Sequence, residues 1–134
     1  MKTGSFRNCA NLRGAVSISR GVPDYFRGPR YLVVAPRYEM LKMSWEEYDY
    51  EFGLILEKLD PEEVYRDLIQ LGGDDPILLC WEKPNERCHR RRVAEWLENA
   101  MIGIEITEYG LARNQVLPYF REAAQPEPKQ LALF

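Results

Sequence analysis

The chain has 134 residues, of which 46% are hydrophobic, so it is long enough for one domain with an ordinary core and needs neither disulfides nor a structural metal. Its net charge of −3 excludes a protein that wraps duplex nucleic acid through overall basic charge, so any such contact must be local. No apolar run approaches the roughly 20 residues that span a bilayer, and no export signal is evident. We therefore expect a cytoplasmic protein with reduced cysteines and no membrane association.

The first predicted strand covers residues 14–19 and ends at Ser19 and Arg20, where a buried strand would meet a functional loop. Residues 21–36 follow as a loop interrupted by prolines and glycines. The loop is too apolar for a freely solvated linker. We expect it to pack over the site as a folded flap.

Two helices are predicted next. Ser44 and Glu47 have the spacing of a capping box, and apolar residues then recur at helical spacing. A second helix should begin after Asp60, with Pro61 at its first position, and should run to Leu71.

The second half predicts a strand, a helix and another strand. Residues 76–81 resemble a strand buried on both faces, residues 86–101 a helix, and residues 103–107 the returning strand. This order is a βαβ crossover, which joins parallel strands. The sequence therefore predicts an α/β fold: a single three-layer domain with a mostly parallel sheet and flanking helices.

The remaining residues divide into three parts. Residues 115–120 have enough apolar content to pack on the body, and a short helix ended by Pro118 is one arrangement. The domain should end at residue 120. Residues 121–129 read as a Pro-rich extended spacer, and residues 130–134 as a separate terminal peptide.

The run after the buried strand holds the candidate chemical centre. The carboxyl ends of parallel strands are where open α/β sheets bind ligands, and a helix N-terminus there lowers the pKa of a nearby thiol. We expect Cys88 or His89 to supply the nucleophile or the proton-transfer group, and Glu82 to orient the imidazole or an arginine. Cys80 is a further candidate for a direct role.

A basic cluster coincides with this run and favours an anionic ligand. Arg20 ends the other predicted strand and can act as an anion clamp, although a salt bridge to Glu82 would explain it equally. The predicted anion-binding residues are Ser19, Arg20, Arg87 and Arg90.

Structural explanations stand beside the catalytic one. Cys80 at a buried strand end is often an inert small hydrophobe, and His89 points to the same helix face as Val93, where it can be a hydrogen-bonded core residue. The spacing C-x7-C-H matches no familiar zinc pattern. We therefore expect no metal and no cofactor, with metal binding as a minor alternative.

The stretch LLCWEKPNERCHRRRVAEWL resembles the signature of the bacterial and phage domain of unknown function 488 (DUF488). SISRGVPDYFRG, YLVVAPRYEML and LDPEEVYRDLIQLGG resemble further parts of that family in the same order, over roughly residues 1–109. The resemblance implies an α/β fold with a mostly parallel sheet. It implies no assigned activity, and it marks the Cys80 to Arg90 run together with Ser19 and Arg20 as the site. The triple arginine after His89 departs from the family pattern.

The tail QLALF resembles the short peptide by which polymerases and repair proteins dock on the bacterial DNA sliding clamp. A match at four fixed positions arises by chance about once in a thousand chains of this length. A terminal motif after a Pro-rich spacer is also well placed to insert apolar anchors into a partner. The expected clamp-binding residues are Gln130, Leu131, Leu133 and Phe134.

These features together predict a protein that binds or processes a nucleotide or a DNA-linked anion and is recruited to the sliding clamp by its tail. The alternative is a non-catalytic adaptor or inhibitor that binds the clamp and uses its Cys/His cluster structurally. The tail can also fold back on the domain. Neither reading fixes the substrate, the oligomeric state or whether the protein is an enzyme.

Overall fold

The fold is built on a sheet of four parallel strands, seen in a computed structural model that describes residues 1–120. The spatial order of the strands is second, third, first, fourth in chain numbering. They are β1 (Lys2–Ser5), β2 (Ala15–Ser17), β3 (Ile77–Cys80) and β4 (Thr107–Glu108). The prediction of an α/β domain with a parallel sheet and flanking helices is confirmed.

Strand β1 lies in the middle of the sheet, yet nothing in the sequence singled it out. It pairs with β3 on one side, where Ser5 is opposite Cys80, and with β4 on the other, where Thr3 is opposite Glu108. Two of its four residues are buried hydroxyl side chains, and a Cβ on Gly4 would lie 2.6 Å from the sulfur of Cys9. A strand with this composition has no apolar run to recognise.

The predicted strands are present but shorter. The strand predicted at residues 14–19 is β2, which ends at Ser17. The strand predicted at residues 76–81 is β3, which covers Ile77–Cys80. The backbone N–H of Ile18 still donates to the carbonyl of Leu79, at 3.1 Å. The last strand, predicted at residues 103–107, is observed at Thr107–Glu108. It pairs with β1, which lies between it and β3 in the sheet.

Within residues 1–120, four α-helices accompany the sheet: α1 (Phe6–Cys9), α2 (Trp45–Glu57), α3 (Pro61–Gly72) and α4 (His89–Ala100). The predicted caps are confirmed, since Ser44 Oγ accepts from the N–H of Glu47 at 3.1 Å and Asp60 accepts from the N–H of Glu62 at 3.0 Å. Helix α4 begins three residues later than predicted. The reason is the extended backbone of Cys88, with φ −156° and ψ 161°, which makes Cys88 the residue before the helix and keeps residues 86–88 out of it.

The sheet is covered on both faces, which gives three layers. Leu78 packs on one side with the long helices, through side chains such as Phe52 and Leu97. Its neighbours Ile77 and Leu79 face the opposite side, against α1 and the loop residue Phe26. Strand β3 is therefore apolar on both faces, as expected for a central parallel strand.

The loop 21–36 packs on the domain, as its apolar content predicted. Phe26, Tyr31 and Val34 are buried, and the backbone N–H of Tyr31 donates to the carbonyl of Ser17 at 2.7 Å. Near the end of the described chain, Tyr119 is buried, but the residues around Pro118 are not helical; a 3-10 turn at Arg113–Gln115 precedes them.

Two further observations concern membrane crossing and the predicted segments after residue 120. Within residues 1–120, no helix has the length and apolar character that crossing a membrane requires. The predicted spacer, residues 121–129, and the predicted clamp peptide, residues 130–134, lie outside the described residues.

Candidate functional site

The candidate site lies at the carboxyl edge of the sheet, between the end of β3 and the start of α4. Cys80 is the last residue of β3, and Cys88 is the residue immediately before α4. The two cysteines, His89 and Arg90 are fully buried, and Glu82 is 7% exposed. The structure therefore brings all four predicted catalytic residues into one enclosed polar cluster, and Arg90 with them.

The sulfur of Cys80 is the centre of this cluster. It lies 3.2 Å from the sulfur of Cys88, 3.3 Å from Oε1 of Glu82 and 3.2 Å from Nη1 of Arg90. Three groups that can donate a hydrogen bond thus surround one sulfur. Such an arrangement stabilises a thiolate, because each donor interacts more strongly with a negative acceptor than with a neutral one.

The surroundings of Cys80 favour its ionised form. Burial raises the pKa of its thiol, but the hydrogen bond from Cys88 and the charges of Arg90 and His89 outweigh burial and hold the pKa well below its usual value. Hydrogen bonding to the charged form and a nearby opposite charge are both established causes of such a shift. The charges and hydrogen bonds around Cys80 therefore favour the thiolate over the neutral thiol.

The other two acids of the cluster stay protonated. Burial, together with the neighbouring negative charge of Cys80, raises the pKa of Glu82 to about 10. Burial and the hydrogen bond to Cys80 likewise raise the pKa of the Cys88 thiol well above its ordinary value. At neutral pH the carboxyl group of Glu82 and the thiol of Cys88 both donate to the Cys80 thiolate.

Arg90 holds this cluster together. It makes a bidentate ion pair with Glu108, with Nη2 to Oε2 at 2.6 Å and Nε to Oε1 at 3.2 Å. Its other donors go to Cys80 and to the carbonyls of Glu82 and Lys83. All five N–H donors of the guanidinium therefore have protein acceptors. The prediction that Arg90 binds an external anion is not supported by this geometry.

The remaining arginines of the basic cluster also contact the protein. Arg87 donates to Asp49 at 3.3 Å and lies over the rings of Trp45 and Tyr119. Arg91 donates to Thr3 Oγ1 and to the carbonyl of Ile106, both at 2.9 Å. Arg92 also pairs with Asp49, at 3.3 Å, so Arg87 and Arg92 share one acid, whereas Arg90 and Arg91 are directed towards β4 and β1. All four side chains are engaged by protein groups and do not form one exposed basic patch.

Arg20 and Ser19 lie next to the site on the β2 side. Arg20 is half-buried and donates through Nε to the carbonyl of Pro36 at 2.9 Å, so its guanidinium ties down the loop; the salt bridge to Glu82 considered from the sequence is not formed. Ser19 is fully buried, and its Oγ has no hydrogen-bond partner within residues 1–120. A buried hydroxyl of this kind can still donate to a ligand.

His89 occupies a supporting position. Its Nε2 is 2.7 Å from the carbonyl oxygen of Ile18, and its ring packs edge-on against Phe52. Because a carbonyl only accepts, Nε2 carries a proton in this arrangement. His89 therefore links α4 to the end of β2 and also hydrogen-bonds the sulfur of Cys80.

Three of these residues have the geometry to hold a metal ion. One ligand atom each from Cys80, Glu82 and Cys88 lie within 4.8 Å of one another. Two sulfurs and a carboxylate would suit a soft divalent cation such as zinc. The guanidinium of Arg90, however, already supplies positive charge 3.2 Å from the Cys80 sulfur. The expectation of no metal stays a prediction.

Glu108 is a residue of the site that the sequence prediction missed. It is buried in β4, receives a hydrogen bond from the hydroxyl of Thr3, and balances the charge of Arg90. The signal was available, since Glu108 directly follows the predicted strand 103–107 and so falls at the same sheet edge as Cys80. The strand that pairs with β4 is β1, which has no apolar pattern by which the sequence could reveal it.

Comparison with known proteins adds no relative. The chain matches no protein-family model, no curated protein and no solved structure. The resemblance to the domain of unknown function 488 family is therefore a resemblance of motifs, and these comparisons do not place the chain in that family.

Removing Glu108 should destabilise the protein strongly. We expect Glu108→Ala to lower the free energy of unfolding by about 3–5 kcal/mol, because it leaves the guanidinium of Arg90 buried without a counter-ion. Urea denaturation measures this loss.

A matched control is Glu105→Ala. Glu105 lies 3.7 Å from Arg113 on the surface, with 72% of its side chain exposed, so its removal should cost under about 1 kcal/mol. Equal losses for the two variants would contradict the role given to Glu108.

Proposed function

We propose that this protein is a cysteine-dependent enzyme that binds and processes a nucleotide or a DNA-linked anion, and that residues 130–134 recruit it to the bacterial sliding clamp. The observation that carries the enzymatic part is the environment of Cys80. Its sulfur lies 3.2–3.3 Å from the sulfur of Cys88, from Oε1 of Glu82 and from Nη1 of Arg90, in one enclosed site at the ligand-binding edge of a parallel sheet.

In the proposed reaction Cys80 is the nucleophile, and Glu82 donates and then accepts a proton. The Cys80 thiolate attacks an electrophilic carbon or phosphorus of the substrate, forming a bond to sulfur. The bond to the leaving group breaks as the carboxyl group of Glu82 gives it a proton. Water then cleaves the bond to sulfur, and its proton returns to Glu82. In this scheme Cys88 and His89, considered from the sequence as nucleophile or proton carrier, act by holding the thiolate.

The anion is recognised from the β2 side of the site. Ser19 supplies a buried hydroxyl that has no partner within residues 1–120, and Arg20 follows it at the same edge. Arg87 lies on the loop that leads into α4, where it donates to Asp49. Because both thiols are fully buried, this scheme requires the loop of residues 81–87 to move aside when the substrate enters.

Recruitment to DNA is supported by the sequence of the tail. The segment 130–134 has the four fixed residues of the clamp-binding pattern and follows a Pro-rich spacer. Docking on a sliding clamp would raise the local concentration of the protein at replicating DNA, where nucleotides and DNA-linked anions are abundant.

A second candidate function is a non-catalytic adaptor that binds the clamp and displaces other proteins. The observation that favours it is the complete burial of Cys80, Cys88, His89 and Arg90, which is typical of a structural polar network. The two functions differ in whether Cys80 can be reached by a reagent in the folded protein.

Thiol alkylation at pH 7 tests the enzymatic proposal. We expect iodoacetamide to modify Cys80 at least ~10-fold faster than Cys9, because only thiolates react and burial raises the pKa of Cys9 to about 11. Inorganic phosphate should slow the reaction at Cys80. Peptide mass spectrometry assigns the modified residue.

Two variants serve as controls. Cys9→Ser should leave the rate unchanged, and Cys80→Ser should abolish the fast phase. If Cys80 reacts only after the protein unfolds, the adaptor is the better account.

Clamp binding is tested with a fluorescent peptide of residues 124–134. We expect about micromolar affinity for purified bacterial sliding clamp, because short linear motifs dock through two or three apolar anchors. Fluorescence anisotropy measures the binding, and the unlabelled full-length chain should compete with the peptide.

The control replaces Gln130, Leu133 and Phe134 with Ala in both the peptide and the full chain. Loss of binding and of competition is expected. Equal binding by the substituted peptide, or no binding at high clamp concentration, would contradict the recruitment proposal.

A further inference from the structure

The two thiols of the site form a pair whose second member has no role in the proposed reaction beyond holding the first. Cys80 and Cys88 are eight positions apart and approach to 3.2 Å between sulfurs, in a part of the fold where both are enclosed. Cys9, in contrast, packs against Gly4 on the other side of the sheet.

We propose that Cys80 and Cys88 are a redox pair that a hydroperoxide converts into an internal disulfide. This inference rests on the proposed function in one respect, the assignment of Cys80 as the thiolate. It adds an activity, two-electron reduction of a peroxide, and a modification site, the Cys80–Cys88 bond.

The geometry requires little movement. The sulfurs are 3.2 Å apart, and a disulfide bond is about 2.05 Å long, so they must approach by roughly 1 Å. The side chain of Cys88 precedes α4 but makes no capping hydrogen bond to it. Its thiol can therefore rotate towards Cys80 without uncapping the helix.

The oxidation uses the two thiols, the carboxyl group of Glu82 and the peroxide, and its atoms and electrons balance. The Cys80 thiolate attacks one oxygen of the peroxide, the O–O bond breaks, and the departing oxygen takes the proton of Glu82 to leave as water or an alcohol. Cys80 is then a sulfenic acid. The sulfur of Cys88 attacks it, the S–OH bond breaks, and the hydroxyl leaves as water with the thiol's proton, while Glu82 regains a proton from solvent. Two thiols lose two electrons, and the peroxide gains them.

Hydrogen peroxide suits this site better than a larger oxidant. The sulfurs are fully buried, and hydrogen peroxide is only slightly larger than water. Arg90 stabilises the negative charge on the attacking sulfur, and Glu82 protonates the leaving oxygen at 3.3 Å from that sulfur. A low-pKa cysteine beside a second thiol is the arrangement found in peroxide-reactive proteins.

The disulfide would also control the proposed reaction. It removes the thiolate on which the nucleophilic step depends, and reduction by a dithiol restores it. Oxidative conditions would therefore switch the enzyme off reversibly without a change elsewhere in the fold.

The test treats the reduced full-length protein with hydrogen peroxide, blocks remaining thiols with N-ethylmaleimide and measures intact mass. We expect a loss of about 2 Da with only one thiol left to block, a Cys80–Cys88 peptide on mapping, and full reversal by dithiothreitol. Cys9→Ser is the matched control and should form the same disulfide. Cys88→Ala should instead accumulate a sulfenic acid at Cys80, trapped by dimedone; circular dichroism confirms that each variant is folded.

The outcomes separate this inference from the proposed function. If no disulfide forms while Cys80 still reacts rapidly with iodoacetamide, the redox pair is disproved and the thiolate enzyme stands. If Cys80 reacts with neither reagent, both are disproved. A disulfide that includes Cys9, or zinc bound stoichiometrically by the purified protein, would also overturn the redox pair.

Discussion

The buried ion pair between Arg90 and Glu108 is the interaction on which the rest of the site depends. It joins the first turn of α4 to β4, and Arg90 reaches from there to the sulfur of Cys80 and to the backbone after β3. A charge this deeply buried is tolerated only when all its donors are used. Glu108 balances the guanidinium charge, while Nη1 of the same group still donates to the sulfur of Cys80 at 3.2 Å.

That bias explains why two similar thiols behave differently. The guanidinium of Arg90 donates directly to the sulfur of Cys80 at 3.2 Å, whereas Cys88 feels the negative charges of Cys80 and Glu82 in addition to the charge of Arg90. The arrangement therefore favours loss of the proton from Cys80, whereas Cys88 and Glu82 each keep their own. The same asymmetry provides a nucleophile with an adjacent acid, and a thiolate with an adjacent resolving thiol. Both proposed activities follow from one arrangement of charge.

The sequence predicted most of the fold but only part of the site. Strong local signals marked α2, α3 and β3, since caps and continuous apolar runs can be recognised without knowing the neighbours. Strand β1 escaped because Thr3, Gly4 and Ser5 are buried by tertiary pairing and not by their own hydrophobicity. The gathering of Cys80, Glu82 and Cys88 was predicted from strand polarity. The commitment of the arginines to protein partners was not, because counter-ions such as Asp49 and Glu108 come from distant segments.

The central claim is that Cys80 is a thiolate at neutral pH, and its ultraviolet absorbance tests this most directly. In the Cys9→Ser protein, a pH titration of thiolate absorbance should show one thiolate already formed at pH 7. It should titrate well below the ordinary thiol value of about 8.5 and disappear on further substitution with Cys80→Ser. Absence of thiolate absorbance until the pH exceeds about 9 would contradict the account.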